Sequence, residues 1–430
     1  MAAKPTPSTV RTVAVIGGNR IPFARSNGPY ASASNQDMFT AALEGLVSRF
    51  NLQGERIGEV AGGAVLKHSR DFNLIRECVL GSTLAPSTPA SDVQMACGTG
   101  LQAIVNVANK IALGQVDSAI AGGVDTTSDA PLGLNDDLRR ILVKLNAAKS
   151  VQERLRLLAA LRPTQVVPDF PRNAEPRTGL SMGDHAAITA KRWNITREAQ
   201  DELAAASHQK LAAAYERGFF DDLLTPFQKL TRDQNLRPDS NAEKLAKLKP
   251  TFGGENGTMT AGNSTPLSDG ASTVLLATEE WAAERNLPVL ARLTFARTAA
   301  VDYVHGDEGL LMAPAYAVPE MLDNAGLGLQ DFDFYEVHEA FASQVLSTLA
   351  AWEDPGFCKE KLGRDAALGS IDMAKLNVNG SSLAAGHPFA ATGGRIVATL
   401  AKLLAEKGSG RGLISVCAAG GQGITAILER

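Results

Sequence analysis

The spacing of apolar and polar positions divides the N-terminal part of the chain into short apolar runs alternating with amphipathic stretches. Residues 12–16 read as a buried strand closed by Gly17-Gly18, and residues 37–50 as an amphipathic helix. A strand is expected at 59–65, and a helix at 73–80 ended by Gly81. In the stretch 91–115, Cys97 ends a short extended run, Gly98, Thr99 and Gly100 follow, and Leu101, Ile104, Val105, Val107, Ala108 and Ile111 then recur at spacings of three and four. That spacing predicts a mostly buried helix with the sulfur at its N-terminal end. Unpaired N–H groups and the helix dipole there favour a thiolate, so a thiol pKa lowered from ~8.5 is expected. A structural cysteine beside a turn fits this stretch, taken alone, equally well. Residues 118–121 form a further short strand closed by Gly122-Gly123.

Beyond Pro131 the texture changes. Residues 136–149 and 150–162 are two basic amphipathic segments, the second opened by the capping box Ser150-Val-Gln-Glu153. Seven basic residues (Arg139, Arg140, Lys144, Lys149, Arg154, Arg156 and Arg162) decorate the pair. A membrane-surface or partner-docking hairpin is one reading, and a solvated helix pair is the simpler one. A proline-bearing loop over 163–176 leads to TGLSMGDHAA, and a long helix over 197–217 is bounded by Thr196 and Gly218. Polar loops continue to Pro250, so the middle segment reads as an insertion within an α/β domain. GTMTAGNSTPLSDG at 257–270 then precedes a strand at 272–278, and another strand set begins at 289–295. The last part runs through a strand at 334–337, a helix at 340–352, a glycine-rich loop at 377–394, a helix to Lys407, a strand at 413–416 and CAAGGQG. After Thr99-Gly100 come a helix, a strand and Gly122-Gly123; after Thr392-Gly393 come a helix, a strand and Gly420-Gly421. The match suggests a duplicated domain.

Length and composition narrow the class. A chain of 430 residues, 44% of them hydrophobic, is expected to fold as two or three domains with large cores. The net charge of −4 gives no sign of nucleic-acid binding. Residues 131–250 nevertheless carry 20 Lys/Arg against 15 Asp/Glu, a local excess that suits an anionic small ligand. The four cysteines, Cys78, Cys97, Cys358 and Cys417, are scattered without CxxC pairing. A reducing, cytoplasmic compartment is expected from that, and neither a disulfide framework nor a zinc ribbon. MAAKPTPSTVRT has neither an apolar signal core nor an arginine-rich amphipathic pattern. No run approaches the roughly 18 apolar residues of a membrane span.

The candidate chemistry lies mostly at the far end. GGNRIPF after the first strand has neither GxGxxG spacing nor a helix opening, because Pro22 interrupts, which excludes a dinucleotide fingerprint. HEAFA puts His338, flanked by Glu339, between a strand and a helix, but Ala342 stands where a zinc-protease HExxH needs its second histidine. His387 lies in NVNGSSLAAGHPFAATGG, and Cys417 follows an apolar strand in SVCAAGGQG. Strand-end loops of this kind favour catalytic groups. Taken singly, His387 is also readable as a satisfied loop histidine and Cys417 as a core thiol. No short ligand spacing supports a Cys97/Cys417/His387/His338 metal site, so no metal is expected. Cys78 and Cys358 are read as structural.

Five motifs in order, the Cys97 stretch, GTMTAGNSTPLSDG, HEAFA, GHPFAATGGR and CAAGGQG, resemble the thiolase family over nearly the whole chain. The resemblance implies duplicated βαβαβαββ domains in a layered αβαβα arrangement with an inserted loop domain. The implied boundaries are 1–130 completed by 251–285, a loop domain at 131–250 covering CoA, and 286–430. The implied activity is cleavage of 3-ketoacyl-CoA by CoA. In it Cys97 attacks, His387 takes its proton and Cys417 protonates the departing enolate. His338 holds the enolate oxygen through a water, and the backbone N–H groups of Cys97 and Ala419 hold the other oxyanion. Arg237 in NLRPDS matches an adenine- or phosphate-contacting arginine, and His185 and Thr265 align with the pantetheine path. The histidine of HEAFA, with NSTPL and the basic insertion, resembles the branch found in multienzyme fatty-acid oxidation complexes. That branch implies a homodimer or tetramer, a possible hydratase/dehydrogenase partner, and no cofactor beyond CoA as substrate. Formation of acetoacetyl-CoA from two acetyl-CoA uses the same residues and stays open. A carrier-protein-dependent ketosynthase is disfavoured by Cys417. A non-catalytic assembly subunit or Cys97–Cys417 redox switch is disfavoured because all four polar residues are retained.

Overall fold

Along the strands, alternate apolar side chains enter different cores. In Ser268–Ala277, Val274 and Leu276 join one core and Leu275 the opposite one. In Gln422–Glu429, Ile424, Ala426 and Leu428 join that first core and Ile427 a third. A period of two with both faces apolar marks strands sandwiched between helical layers. The computed structural model describes residues 10–430; residues 1–9, which open the stretch read above for targeting signals, lie outside the described residues.

The topology is duplicated. In the N-terminal half the strands Ala14–Arg20, Glu59–Gly62, Ala90–Asp92, Ser118–Asp125 and Ser268–Ala277, taken as 1 to 5, lie side by side in the order 3-2-4-5-1. In the C-terminal half the strands Ala291–Ala300, Phe334–Val337, Arg411–Ala418 and Gln422–Glu429, with an isolated bridge at Leu376 in third place, repeat that order. Strands 2, 3 and 4 pair in parallel and strands 4, 5 and 1 antiparallel in both halves. The two first strands meet at Ala14↔Arg292 and Val15↔Ala291, which joins the halves into one sheet of ten strands, the tenth being the short Ala24–Arg25 paired with the start of Ser268–Ala277.

Helices form three layers around the strands. Asn35–Arg49 and Leu74–Leu80 bury Phe39, Leu43 and Ile75 against the outer N-terminal strand face. Pro314–Ala325 and Ala342–Glu353 bury Val318, Val345 and Trp352 on the outer C-terminal face. Between the halves lie Thr99–Ala112 and Ala391–Lys407, whose Leu101, Ile104, Ile396 and Leu400 share a core with strands of both halves. The arrangement is the expected αβαβα. Of the six apolar positions assigned to the Cys97 helix, five are buried and Val105 is half-buried.

The segment between Asp125 and Ser268 enters between strands 4 and 5 of the first half. Its helices Asp136–Ala147 and Val151–Ala159 bury no residue, as solvated helices do. The helix Arg197–Glu216 is capped by the Thr196 hydroxyl and sends Leu211 and Tyr215 into the central core. Among the described residues no helix is long and apolar enough to cross a membrane.

The glycine pairs differ from expectation. Gly17-Gly18 and Gly122-Gly123 lie inside Ala14–Arg20 and Ser118–Asp125 and do not close those strands. The cause is close approach: a Cβ on Gly122 would lie 1.9 Å from the Ser272 carbonyl oxygen, and one on Gly123 2.2 Å from that of Ala390. Both obstacles are backbone, which cannot swing aside. Gly122→Ala is therefore expected to cost about 1–3 kcal/mol by overpacking. The loss should be read as a lowered urea midpoint at unchanged m; parental stability would show that the sheet can spread there.

Candidate active site

Met95, Ala96 and Cys97 make the turn between the strand Ala90–Asp92 and the helix Thr99–Ala112. Ala96 has φ +43°, a left-handed conformation that costs a non-glycine residue about 1–3 kcal/mol. The Thr99 hydroxyl holds it, accepting the Met95 N–H at 2.8 Å and donating to the Ala96 carbonyl at 2.7 Å. The Cys97 sulfur is thereby presented to a cavity of about 550 Å³. Its walls are largely apolar and include Leu66, Leu132, Phe170, Met182 and Phe389.

Two imidazoles meet the sulfur from the C-terminal half. His338 ends the strand Phe334–Val337, and His387 lies in the loop before the helix Ala391–Lys407. Their ring centroids are 4.1 Å apart, and one nitrogen from each lies with the Cys97 sulfur inside a set spanning no more than 4.8 Å. Each ring is held from behind: His387 Nδ1 is 2.6 Å from Thr392 Oγ1, and His338 Nδ1 is 2.9 Å from Ser382 Oγ. Both Nε2 atoms are buried without a protein partner. The loops carrying them are tied together by Glu339, which accepts hydrogen bonds from Asn377 Nδ2 (2.7 Å), the Ser207 hydroxyl (2.7 Å) and the Leu383 N–H (3.1 Å).

Burial sets the protonation states. It pushes the Cys97 thiol up to about 12, against the opposing effect of the Ala419 and Cys97 N–H groups that face the sulfur. The lowered thiol pKa expected from the helix N-terminus is thus corrected: desolvation outweighs the donors in the free protein. Burial and then the Arg395 charge lower His387 to about 3. Burial, His387 and Arg395 together push His338 well below the ordinary histidine value. Burial raises Cys417, and proximity of Cys97 raises it further, so the two thiols are electrostatic neighbours. The resting constellation is neutral thiols facing neutral imidazoles.

The second cysteine lies at the end of Arg411–Ala418, fully buried beside Ala340, Phe341 and Met259. After it the chain turns through Gly420 and Gly421 with φ +78° and +71°. Glu175, from the inserted segment, accepts the Gly420 N–H at 2.8 Å and the Tyr303 hydroxyl at 2.8 Å, which pins the turn that carries Ala419. Sequence inspection missed Glu175, because nothing local in NAEPRTG marks it.

A second cavity, of about 390 Å³, shares Leu267 with the first and contains Arg237 and Thr265. Arg25 and His208 join them there, unforeseen from the sequence; the Arg237 N–H donates to His208 Nδ1 at 3.2 Å. Burial and the Arg237 charge lower His208 to about 4. The Thr265 hydroxyl is turned to the Ser382 carbonyl at 2.9 Å, whereas the neighbouring Ser264 Oγ, also on this wall, is unpartnered. The NSTPL loop thus lines this cavity with both Ser264 and Thr265. His185 is absent from both cavities. The Thr178 hydroxyl at 2.8 Å and the edge of Tyr303 draw its ring into a separate pocket, and Met182 of the same motif reaches the Cys97 cavity instead. The sulfur and two imidazoles are chemically competent for a soft divalent cation, a use the function proposed below does not call on.

Comparison with known proteins is consistent along nearly the entire chain. The family profile "Thiolase, N-terminal domain" matches residues 13–280 and "Thiolase, C-terminal domain" matches 287–430. A 3-ketoacyl-CoA thiolase of Yersinia pestis (strain Pestoides F) is 40% identical over 436 residues, covering 99% of each chain. The crystal structure of human mitochondrial 3-ketoacyl-CoA thiolase superimposes with a TM-score of 0.81 at 28% identity, covering 98% of this chain and 100% of that one. The acetyl-CoA acetyltransferase of Bacillus anthracis gives the same TM-score and identity over 98% and 99%.

A neutral resting pair has a chemical signature. Alkylation of Cys97 by uncharged iodoacetamide requires thiolate. With the thiol held up at about 12, its rate should rise about tenfold per pH unit from about pH 7 to about pH 9 without levelling. A plateau near neutral pH would reveal a resting thiolate–imidazolium pair instead.

Proposed function

The chain belongs to the thiolase family, and on that premise we propose that it cleaves 3-ketoacyl-CoA with CoA to acetyl-CoA and an acyl-CoA shortened by two carbons, as in fatty-acid β-oxidation. The observation that carries the proposal is the convergence of the Cys97 sulfur with one nitrogen of each imidazole, His387 and His338, while both Nε2 atoms lack partners. Cys97 attacks the C3 ketone as His387 takes the thiol proton, so the nucleophile becomes anionic only as the new C–S bond forms. A neutral pair, with the imidazole buried and the sulfur half-buried, suits that concerted transfer. The C2–C3 bond then breaks, its electrons pass into the acetyl-CoA enolate, and Cys417 delivers a proton to C2. His387 and His338, the latter through a water, stabilise the enolate oxygen. The N–H groups of Cys97 and Ala419 stabilise the oxyanion on the Cys97 side. CoA thiol attacks the remaining thioester and releases the shortened acyl-CoA; the proton held by His387 returns to Cys97 and the CoA thiol proton passes to Cys417, so both thiols are restored.

One feature supports a degradative direction: the largely apolar cavity at Cys97 offers far more volume than an acetyl group needs. The adjoining cavity with Arg25 and Arg237 has the charge to receive CoA phosphates, which either direction requires. Condensation of two acetyl-CoA runs over the same groups and remains the second reading, favoured by the equal likeness to an acetyl-CoA acetyltransferase. The same proposal extends to a loop domain at 131–250 that covers CoA, to a homodimer or tetramer, and to a hydratase/dehydrogenase partner. All four cysteines are free, which fits a cytoplasmic setting.

Incubation with a long-chain 3-ketoacyl-CoA is expected to leave a thioester on Cys97 detectable by mass spectrometry. Under single-turnover conditions without free CoA, Cys417→Ala should still transfer acyl groups from acyl-CoA to Cys97 yet lose carbon–carbon cleavage by about 10²–10⁴-fold. Equal loss of both steps would refute this division of labour between the two thiols.

A further inference from the structure

Beneath the two imidazoles lies a buried charge that the mechanism above does not use. Arg395, in the first turns of Ala391–Lys407, is buried together with Glu336, and both Glu336 oxygens and Arg395 Nε lack hydrogen-bond partners. Arg395 Nη2 donates to Ser381 Oγ at 3.1 Å and to Ser382 Oγ at 3.0 Å. The same Ser382 oxygen is 2.9 Å from His338 Nδ1. We propose that Arg395 and Ser382 are positioning residues that lock His338 in one tautomer, with its ring proton on Nε2 and aimed into the cavity.

The direction follows from counting protons. A guanidinium only donates, so Arg395 occupies one lone pair of Ser382 Oγ, and the serine has one proton to place. If His338 carried its proton on Nδ1, that proton would take the second lone pair. The buried serine proton would then have no acceptor among its described contacts, a costly state. Placing the serine proton on the line to His338 Nδ1 satisfies Arg395, Ser382 and the imidazole together. His338 Nε2–H is then a fixed donor for the oxygen that gains charge. His387 rests instead on the Thr392 hydroxyl, which no described charged donor touches, so the lock set by Arg395 and Ser382 acts on His338 alone.

The kinetic part of this assignment rests on the thiolase reading; the tautomer itself does not. Protein labelled with ¹⁵N-histidine should show, in long-range ¹H–¹⁵N correlation spectra of the free enzyme, one ring protonated at Nε2 only. That ring is identified by its disappearance in His338→Asn. A His338 signal protonated at Nδ1 in the wild type would overturn the assignment. Ser382→Ala should mix the tautomers and lower kcat for cleavage about 10²-fold with KM little changed, the scale of a misplaced catalytic contact. Ser382→Thr, which keeps the hydroxyl, should recover most of that loss. Equal losses in Ser382→Ala and Ser382→Thr, or an unchanged kcat in Ser382→Ala, would count against the relay. A missing Cys97 thioester would instead strike at the proposed function and leave the tautomer assignment intact.

Discussion

The two inner helices of this protein cross at glycine. A Cβ on Gly100 would come within 2.4 Å of the Ala390 carbonyl oxygen, and one on Gly393 within 2.2 Å of the Leu101 nitrogen. The N-terminal turns of Thr99–Ala112 and Ala391–Lys407 can therefore approach to backbone contact, and no larger residue permits it. Cys97 stands two residues before the first helix and His387 four before the second. Once the helix starts touch, sulfur and imidazole are brought together from opposite halves of the chain. The duplicated threonines at this crossing have diverged in use: Thr99 shapes the strained turn at Ala96, while Thr392 holds the His387 ring. A symmetric scaffold thus supplies an asymmetric site.

The same packing that assembles the groups also strips them of water. Desolvation leads the causes that shift Cys97, Cys417, His338 and His387, in each case toward the neutral form. Nothing in the resting site has to be discharged when an acyl-CoA arrives. The hydrogen-bond donors meant for oxyanions, the N–H groups of Cys97 and Ala419, already face the reacting sulfur. Fixed donors of this kind need no rearrangement when charge develops, which is where most of the advantage of a dry site lies. Arg395 belongs to this design as a buried cation beneath the site, biasing both imidazoles against protonation.

The inserted segment helps to build the site. Glu175 reaches from it to the Gly420 N–H, and Leu132, Phe170 and Met182 supply walls of the cavity in front of Cys97. A tilt of the insertion would move the Ala419–Gly420 turn and the apolar cavity together. Its other side, with Arg237 and His208, shapes the neighbouring cavity. The insertion therefore links the groups that would hold the substrate to those that would transform it.

Local information decided much of this molecule. Apolar spacing and capping placed the helices Thr99–Ala112, Leu74–Leu80 and Arg197–Glu216 and the strand Phe334–Val337 to within a residue or two. The order of five motifs pointed to the family and to Cys97, His338 and His387, which converge. These features were legible because helix period, cap chemistry and motif spacing are properties of neighbours in the chain. Contacts between distant segments decided the rest. Gly122-Gly123 reads as a strand end until Ser272 and Ala390 are known to press on it. The Cys97 thiol reads as acidified until desolvation of the half-buried sulfur is counted, and only the fold shows that His185 packs on Tyr303 and Thr178, outside the cavities at Cys97 and Arg237. Glu175 carries no local mark at all, and Ser264, Ser382 and Arg395 lie within the motifs without being singled out by them. Desolvation and hydrogen-bond partnership depend on what the folded chain brings from far away, so only the tertiary structure could assign them.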